Sequence, residues 1–212
     1  GLTSIEIPNS VTSIGDAAFY DCSSLTSITF GDNPQLTSIG YNAFSHCKNL
    51  ENIVIPDSVE FIGASVFRNC GDLSNVRLPA GLTEIPESMF DGTSLAKIDI
   101  PAGVTKIGYR AFIGTRLKEL VLPEGVVSIA DYAFAYCENL KDITLSISLT
   151  KIGNYAFSNC TSLVTIAIPD TVTEIGNYAF SDCSSLQAIT LSKNLEILGT
   201  RTFDNCDSLT AI

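Results

Sequence analysis

Seven cysteines are the residues of this chain whose type and spacing suggest chemistry most directly. They are Cys22, Cys47, Cys70, Cys137, Cys160, Cys183 and Cys206. An odd number of regularly placed cysteines could form disulfides or hold a metal ion. All seven, however, fall at the same point of a repeated segment, so neighbouring thiols would point the same way and the disulfide dihedral would be hard to reach. We therefore predict seven free thiols, buried in the core and donating weakly to turn carbonyls.

The only histidine, His46, stands beside Cys47 and could begin a metal site. At its position in the other copies Asp, Asn and Gly predominate, which tolerate a left-handed backbone, and histidine is also enriched there. We therefore interpret His46 as a turn residue. A single histidine cannot act as the catalytic base for a thiol or hydroxyl in every copy of the segment. The carboxylates are scattered over variable positions. The sequence predicts no catalytic residue, cofactor site or metal ligand, so we expect a protein that is not an enzyme.

Three tyrosines form a candidate binding site. Tyr132, Tyr155 and Tyr178 occupy the same position in three consecutive copies of the segment, so their rings are expected to form a row on one flank. Such rows bind sugars and peptides. Packing between like residues on adjacent copies explains the row equally well.

These candidates recur because the chain consists of copies of one segment, L-x-x-I-x-I/L-P-x-x-V/L-x-x-I-G-x-x-A-F-x-x-C-x-x. With the leucine as position 1, the copies begin at Leu2, Leu25, Leu50, Leu73, Leu95, Leu117, Leu140, Leu163, Leu186 and Leu209. Two extra residues in the second copy, within 31–35, are not counted in the positions. A short period held nine times predicts a stacked array. We predict one solenoid domain over residues 1–212, with nine repeats of 22 to 25 residues and a partial tenth. Because neither end carries capping residues, we expect a fragment of a longer chain.

The consensus also predicts the elements that position these side chains. Apolar residues at positions 4 and 6 alternate with polar ones, which predicts a short strand with one buried face. The proline that often follows ends the strand, and glycine at position 14 suits a corner or a positive φ. The A-F-x-x-C segment has spacing close to one helical turn, and phenylalanine at position 18 of all nine repeats predicts a continuous aromatic column. Because Pro86 takes the glycine position of the fourth repeat, we expect the curvature to change there.

The outward positions 3 and 5 of the predicted strand form the other candidate site. Solenoids bind partners through extended concave surfaces, and charged residues at these positions concentrate in repeats 4 to 7. The candidate binding residues are Val54, Arg77, Lys97, Asp99, Glu119 and Val121. A solvated face remains the simpler explanation of any single one of them.

Composition narrows the class of partner. Acidic residues outnumber basic ones 23 to 12, which gives a formal net charge of −11, and the basic residues form no run. A nucleic-acid backbone would therefore be repelled. No apolar run reaches the length of a membrane span and the first residues do not resemble a signal peptide. We expect no nucleic-acid partner and no membrane insertion of this segment.

The repeated residues L-x-x-I-x-I-P-x-x-V-x-x-I-G-x-x-A-F-x-x-C resemble the BspA-type leucine-rich repeat, also called the Treponema pallidum type, over essentially the whole chain. The resemblance implies a right-handed superhelix with a parallel β-sheet on the concave face and short helical turns or irregular segments opposite. Members of that family are typically surface-exposed or secreted proteins of host-associated bacteria and some protozoa. They are linked to adhesion to host matrix proteins or other cells, and they share no catalytic motif.

Two functions follow as expectations. The first is an extracellular or cell-surface, adhesin-like module that recognises a protein or glycan partner, host matrix included, without a cofactor. The alternative is a structural spacer or scaffold that presents another domain of the parent protein. Free thiols also permit a cytosolic scaffold.

Overall fold

Eight of the nine repeats contribute two strands, where the sequence predicts one. The computed structural model describes residues 1–212. A first strand begins at position 3 of the repeat, and a second covers positions 12 and 13. The strands are β1 (Ser4–Ile7), β2 (Ser13–Ile14), β3 (Ser27–Phe30), β4 (Ser38–Ile39), β5 (Asn52–Val54), β6 (Phe61–Ile62), β7 (Asn75–Arg77), β8 (Glu84–Ile85), β9 (Lys106–Ile107), β10 (Glu119–Val121), β11 (Ser128–Ile129), β12 (Asp142–Thr144), β13 (Lys151–Ile152), β14 (Thr165–Ala167), β15 (Glu174–Ile175), β16 (Ala188–Thr190) and β17 (Ile197–Leu198). The fifth repeat lacks its first strand.

Equivalent strands of successive repeats pair in parallel and in register, which produces two ladders along a β-solenoid. The first strands form the sheets β1-β3-β5-β7, β10-β12 and β14-β16, which we call the long-strand face. The second strands form the sheets β2-β4-β6 and β8-β9-β11-β13-β15-β17, which we call the short-strand face. Ile152, for example, lies opposite Ile175, and both side chains are buried. The repeat solenoid with parallel sheet that the sequence predicts is confirmed.

The A-F-x-x-C segment forms a series of turns, so the helical turn predicted there is wrong. Positions 16 and 20 have positive φ in all nine repeats, as in Tyr155 (55°) and Asn159 (61°). The N–H of Phe157 donates to Ala179 of the next repeat at 2.8 Å, whereas that of Ser158 donates to Tyr155 of its own repeat at 3.1 Å. In an α-helix, backbone N–H groups bond only to carbonyls of the same helix. The bonds to the next repeat therefore show that stacking between repeats determines the backbone conformation of this segment. The structure has no helix long and apolar enough to cross a membrane.

A column of phenylalanines fills the centre of the solenoid, as predicted. From Phe19 to Phe203, successive ring centroids lie 5.2 to 6.0 Å apart with nearly parallel planes. The thiols line this column. From Cys47 onward, each Sγ donates to the carbonyl of the phenylalanine in the preceding repeat at 3.0 to 3.2 Å. All seven cysteines are free, as predicted; five are buried, and Cys22 and Cys206 are half-buried.

Glycine at position 14 is required by close stacking of the backbone and not by a positive φ. Only Gly92 and Gly114 have positive φ, and both lie at position 20. A Cβ added to Gly63 would lie 2.5 Å from the backbone nitrogen of Tyr41 in the preceding repeat. Because that atom is part of a hydrogen-bonded backbone, it has little room to move. The corner predicted at this position is therefore a point of contact between repeats.

The two ladders are interrupted at different places near the middle of the chain. The N–H at position 14 normally donates to the preceding repeat, as Gly63 does to Ile39 at 2.8 Å. Pro86 has no N–H, so the Ile62 carbonyl receives no such bond, and β6 and β8 belong to separate sheets. On the long-strand face the sheet stops after β7, because residues 97–99 form no strand. A second break on this face separates β12 from β14.

Candidate functional site

The outward residues of the long-strand face are exposed for the most part, as the sequence predicts. Side chains alternate along each strand, so Glu119 and Val121 are exposed while Leu120 between them is buried. Val54 lies opposite Arg77 in the register of β5 and β7. Val54 and Val121 are 57% and 69% exposed. The face therefore offers apolar contact area beside its charges.

Arg77 is already engaged by the protein itself. Its Nη2 atom lies 2.6 Å from Oδ2 of Asp57, whose Oδ1 accepts the N–H of Ala80 at 3.0 Å. These two donors hold the pKa of Asp57 below its usual value. The same bond recurs between Asp170 and the N–H of Lys193 at 3.1 Å. An aspartate at position 8 is thus a structural link between repeats, and Arg77 supports one of these links.

The other charged candidates surround the interruption in the long-strand ladder and have no partner within the chain. Lys97, Asp99 and Glu119 are exposed, and none of them forms an ion pair. Two shallow depressions adjoin here. One is lined by Lys97, Asp99, Glu119 and Val121, and the other by Arg77, Lys97 and Asp99. The structure therefore brings these sequence-predicted residues together at one place.

Asp142 belongs to the same surface and was not among the candidate residues. It lies directly opposite Glu119 in the register of β10 and β12, and it lines the same depression as Lys97 and Asp99. Two carboxylates side by side on a sheet repel each other unless a cation stands between them. We call Lys97, Asp99, Glu119 and Asp142 the charged patch. The strand pattern predicts that Asp142 points outward, since it occupies position 3.

The tyrosine row forms as predicted, but its ring faces are covered. Tyr132, Tyr155 and Tyr178 stack with centroids 4.7 and 4.8 Å apart and planes within 5° of parallel. Tyr109 meets one end of the row edge-on, and the guanidinium of Arg201 lies 5.9 Å from the Tyr178 ring at the other end. A sugar that stacks on an aromatic residue needs an open ring face. Ladder packing accounts for this row, whose three side chains are half-buried.

The cysteines and His46 lie in structural positions. The left-handed turn predicted for His46 is confirmed by its φ of 64°, and its Nε2 lies 3.3 Å from Nδ2 of Asn69. No three side chains among His, Cys, Asp and Glu converge on a common point. Burial raises the pKa of Cys47 and of Cys137 to about 12. Such thiols stay protonated near neutral pH and are poor nucleophiles.

A groove on the short-strand face was missed by reasoning from the sequence. It lies where Pro86 interrupts the ladder, and the rings of Tyr41, Phe61 and Tyr109 line it. The sequence shows Pro86 in the glycine position but predicts only a change of curvature there. The signal that could have indicated the groove is the hydrogen bond that a proline cannot donate.

The profile described as BspA type leucine rich repeat region, in six copies, matches residues 1–118 and 105–212. No curated protein matches the chain.

Several solved structures are similar over nearly the whole chain. The pneumococcal vaccine antigen PcpA is 23% identical, with a TM-score of 0.54 over 98% of this chain and 67% of that protein. A leucine-rich repeat protein of T. pallidum is 23% identical, with a TM-score of 0.52 over 98% of this chain and 78% of that one. A leucine-rich cell surface protein of Faecalibacterium prausnitzii is 28% identical, with a TM-score of 0.47 over 100% of this chain and 78% of that one. The first two likenesses support the solenoid fold.

Proposed function

Because the chain belongs to the BspA-type leucine-rich-repeat family, we propose that it is a non-catalytic binding module of a bacterial cell surface that recognises a protein partner through its long-strand face. The observation that carries this proposal is the charged patch. Its four side chains are exposed, lie together and have no ion-pair partner in the chain. Charged residues that serve only to keep a face solvated have no reason to cluster where the sheet is interrupted.

The composition of this surface indicates the chemistry of the partner. Asp99, Glu119 and Asp142 outnumber Lys97, and Val121 beside them is largely exposed. Complementary potentials across an interface favour encounter and fix its register. A protein segment with basic residues around an apolar one is therefore the best fit, and a host matrix protein is one source of such a segment.

A screen of purified matrix proteins and of a glycan array against the full chain tests this proposal. Once a partner is found, the double variant Asp99→Ala/Glu119→Ala should bind at least about tenfold more weakly, since each well-placed charge contributes about 1 kcal/mol or more. The double variant Glu138→Ala/Asp207→Ala makes the same change of charge in the turns that directly follow the cysteines, which we call the turn side, and it should bind normally. Equal affinity of both variants would move the site away from the long-strand face.

A structural spacer is the second candidate, favoured by the regularity of the packing. The stacked phenylalanine column runs through all nine repeats, and every pair of neighbouring repeats except the third with the fourth is joined by the ladder of second strands. Such an array resists bending and could project another domain of a parent protein. In that case the charged patch could be replaced without effect on any binding or adhesion by the parent protein, which distinguishes this candidate from the first.

A further inference from the structure

A groove crosses the short-strand face where the second-strand ladder is interrupted. We call it the Pro86 groove. Its floor contains Gly63, Pro86 and Gly108, residues of position 14 whose side chains are absent or small. Residues of positions 12 and 15, on either side of position 14, provide the longer side chains that line it: Phe61, Glu84, Lys106, Tyr41, Glu87 and Tyr109. The groove is separate from the charged patch and shares no residue with it.

Three aromatic side chains line this groove with much of their surface exposed. Tyr41, Phe61 and Tyr109 are 50%, 46% and 40% exposed. Tyr41 and Phe61 meet edge to face, with centroids 5.9 Å apart, so they do not cover each other as stacked rings do. This contrasts with the tyrosine row, where each ring face is occupied. Exposed aromatic surface beside a few polar groups is typical of a site for an amphipathic ligand.

Backbone groups in the same region lack their usual partners. The Ile62 carbonyl receives no N–H from Pro86. Nearby, the N–H of Thr83 does not bond to the Glu60 carbonyl, although the equivalent bond forms from Thr105 to Thr83 at 2.8 Å. Unpaired backbone donors and acceptors are costly unless a ligand or water satisfies them. They are well suited to hydroxyl groups, which both donate and accept.

The groove is too narrow to accept an extended peptide as an added strand. A strand inserted between β6 and β8 would need about 4.8 Å on each side. The same two repeats are held together elsewhere, by the N–H of Ile55 donating to Arg77 at 3.0 Å and by that of Ser65 donating to Glu87 at 2.8 Å. These bonds on the other faces keep β6 and β8 from separating that far. Strand addition is therefore excluded by the closed ladders.

We infer that the Pro86 groove binds a neutral sugar unit of an oligosaccharide. The aromatic rings would contact the apolar face of the sugar, while the Ile62 carbonyl and the carboxylates of Glu84 and Glu87 accept hydrogen bonds from its hydroxyl groups. The groove is lined by these two carboxylates and by only one lysine, Lys106. The chain as a whole carries a formal charge of −11. This balance disfavours anionic sugars.

Titration of the full chain with neutral trisaccharides, followed by NMR, tests the inference. Maltotriose, cellotriose and tri-N-acetylglucosamine are the probes, and sialyllactose is the anionic comparison. At least one neutral trisaccharide should bind, with the largest shifts at the groove residues, and sialyllactose should bind more weakly. Absence of binding by all three neutral sugars, or preference for sialyllactose, overturns the inference.

Two variants and one control locate the binding without disturbing the fold. Phe61→Ser introduces the residue that position 12 carries in Ser13, Ser38 and Ser128, and it should weaken binding about fivefold through loss of the aromatic contact. Ile197→Ser is the control, since it changes a similarly exposed apolar residue at position 12 outside the groove, and it should have no effect. Pro86→Gly supplies the missing N–H to Ile62, so it should close the groove and abolish binding while the thermal stability is retained. Unchanged affinity in either Phe61→Ser or Pro86→Gly overturns the inference.

Discussion

The α-carbon of Gly176 lies so close to the backbone of Asn154 that an added Cβ would be 2.6 Å from its nitrogen. The two residues belong to adjacent repeats, and the Gly176 N–H donates to Ile152 at 2.8 Å. Close approach of backbones at this point allows the short strands to pair. A side chain at this position would therefore disrupt the pairing of two repeats. It would not strain the backbone conformation of the residue itself.

Gly176→Ala should lower the free energy of unfolding by at least about 2 kcal/mol, because the rigid backbone cannot absorb the overlap. Gly15→Ala is the matched control, since Gly15 occupies the same position of the first repeat and a Cβ there would meet nothing within 4 Å. That variant should be neutral or stabilised by up to about 1 kcal/mol. Urea unfolding followed by circular dichroism measures both. Equal losses in the two variants would mean that position 14 needs glycine for its conformation.

The buried thiols should make the fold less stable at alkaline pH. Burial raises the pKa of Cys137 to about 12 from an ordinary value of 9.0, so the unfolded chain loses its thiol proton first as the pH rises. The contribution of this group is complete below about pH 9 and declines up to about pH 12, by about 1.4 kcal/mol for each pH unit.

Cys137→Thr isolates this effect from the titration of lysines and tyrosines. Threonine occupies position 21 naturally as Thr93 and Thr115, whose hydroxyls donate to the phenylalanine carbonyls of their own repeats at 2.9 Å. Between pH 9 and 10.5, the free energy of unfolding of the variant should fall less steeply than that of the parent chain. Identical slopes would show that the Cys137 thiol ionises as easily in the folded state as in the unfolded state.

The stacked tyrosines should stabilise one another through direct contact. Tyr155 and Tyr178 both have positive φ, at 55° and 56°, a conformation that costs a residue with a side chain about 1 kcal/mol. Ala17 has the same conformation in the first repeat, so alanine is tolerated there. In a double-mutant cycle with alanine, Tyr155 and Tyr178 should show a coupling energy of about 0.5 to 1.5 kcal/mol.

Tyr132 and Tyr178 provide the control cycle, because Tyr155 stands between them. Their separate losses of stability should add to within about 0.5 kcal/mol. Coupling as large in this pair as in the adjacent pair would indicate that the row acts as one unit and not through contacts of neighbours.

Features that depend on residue type within one repeat could be predicted from the sequence. The buried side of the first strand, the phenylalanine column, the free thiols and the left-handed turn at position 20 all follow from side-chain size, apolarity or tolerance of positive φ. The turn at position 16 could not be predicted in this way. Tyrosine, arginine and serine occur there without any intrinsic preference for positive φ, and bonds from their N–H groups to the next repeat impose it.

The candidate sites show the same division. Outward strand positions predict which side chains of the long-strand face are exposed, but not which of them already have a partner. Arg77 and Lys97 are both basic residues at outward strand positions, and only the fold shows that Asp57 of the preceding repeat binds Arg77. The Pro86 groove likewise depends on a missing hydrogen bond, the one that position 14 normally donates to the preceding repeat. Relationships between repeats are set by stacking geometry, which a single-repeat pattern does not contain.

Lys97 provides a test of the sign of charge that the partner carries. It is the one cation of the charged patch, and it forms no ion pair in the chain. If the partner presents basic residues, Lys97→Ala should tighten binding about two- to fivefold at low ionic strength, because it removes a repulsion. This gain should shrink as salt is added, since exposed charges are screened within about 8 Å at physiological ionic strength. Lys48→Ala removes an exposed cation from the turn side and should leave the affinity unchanged. Weaker binding of Lys97→Ala would instead indicate an acidic partner and contradict the proposed complementarity.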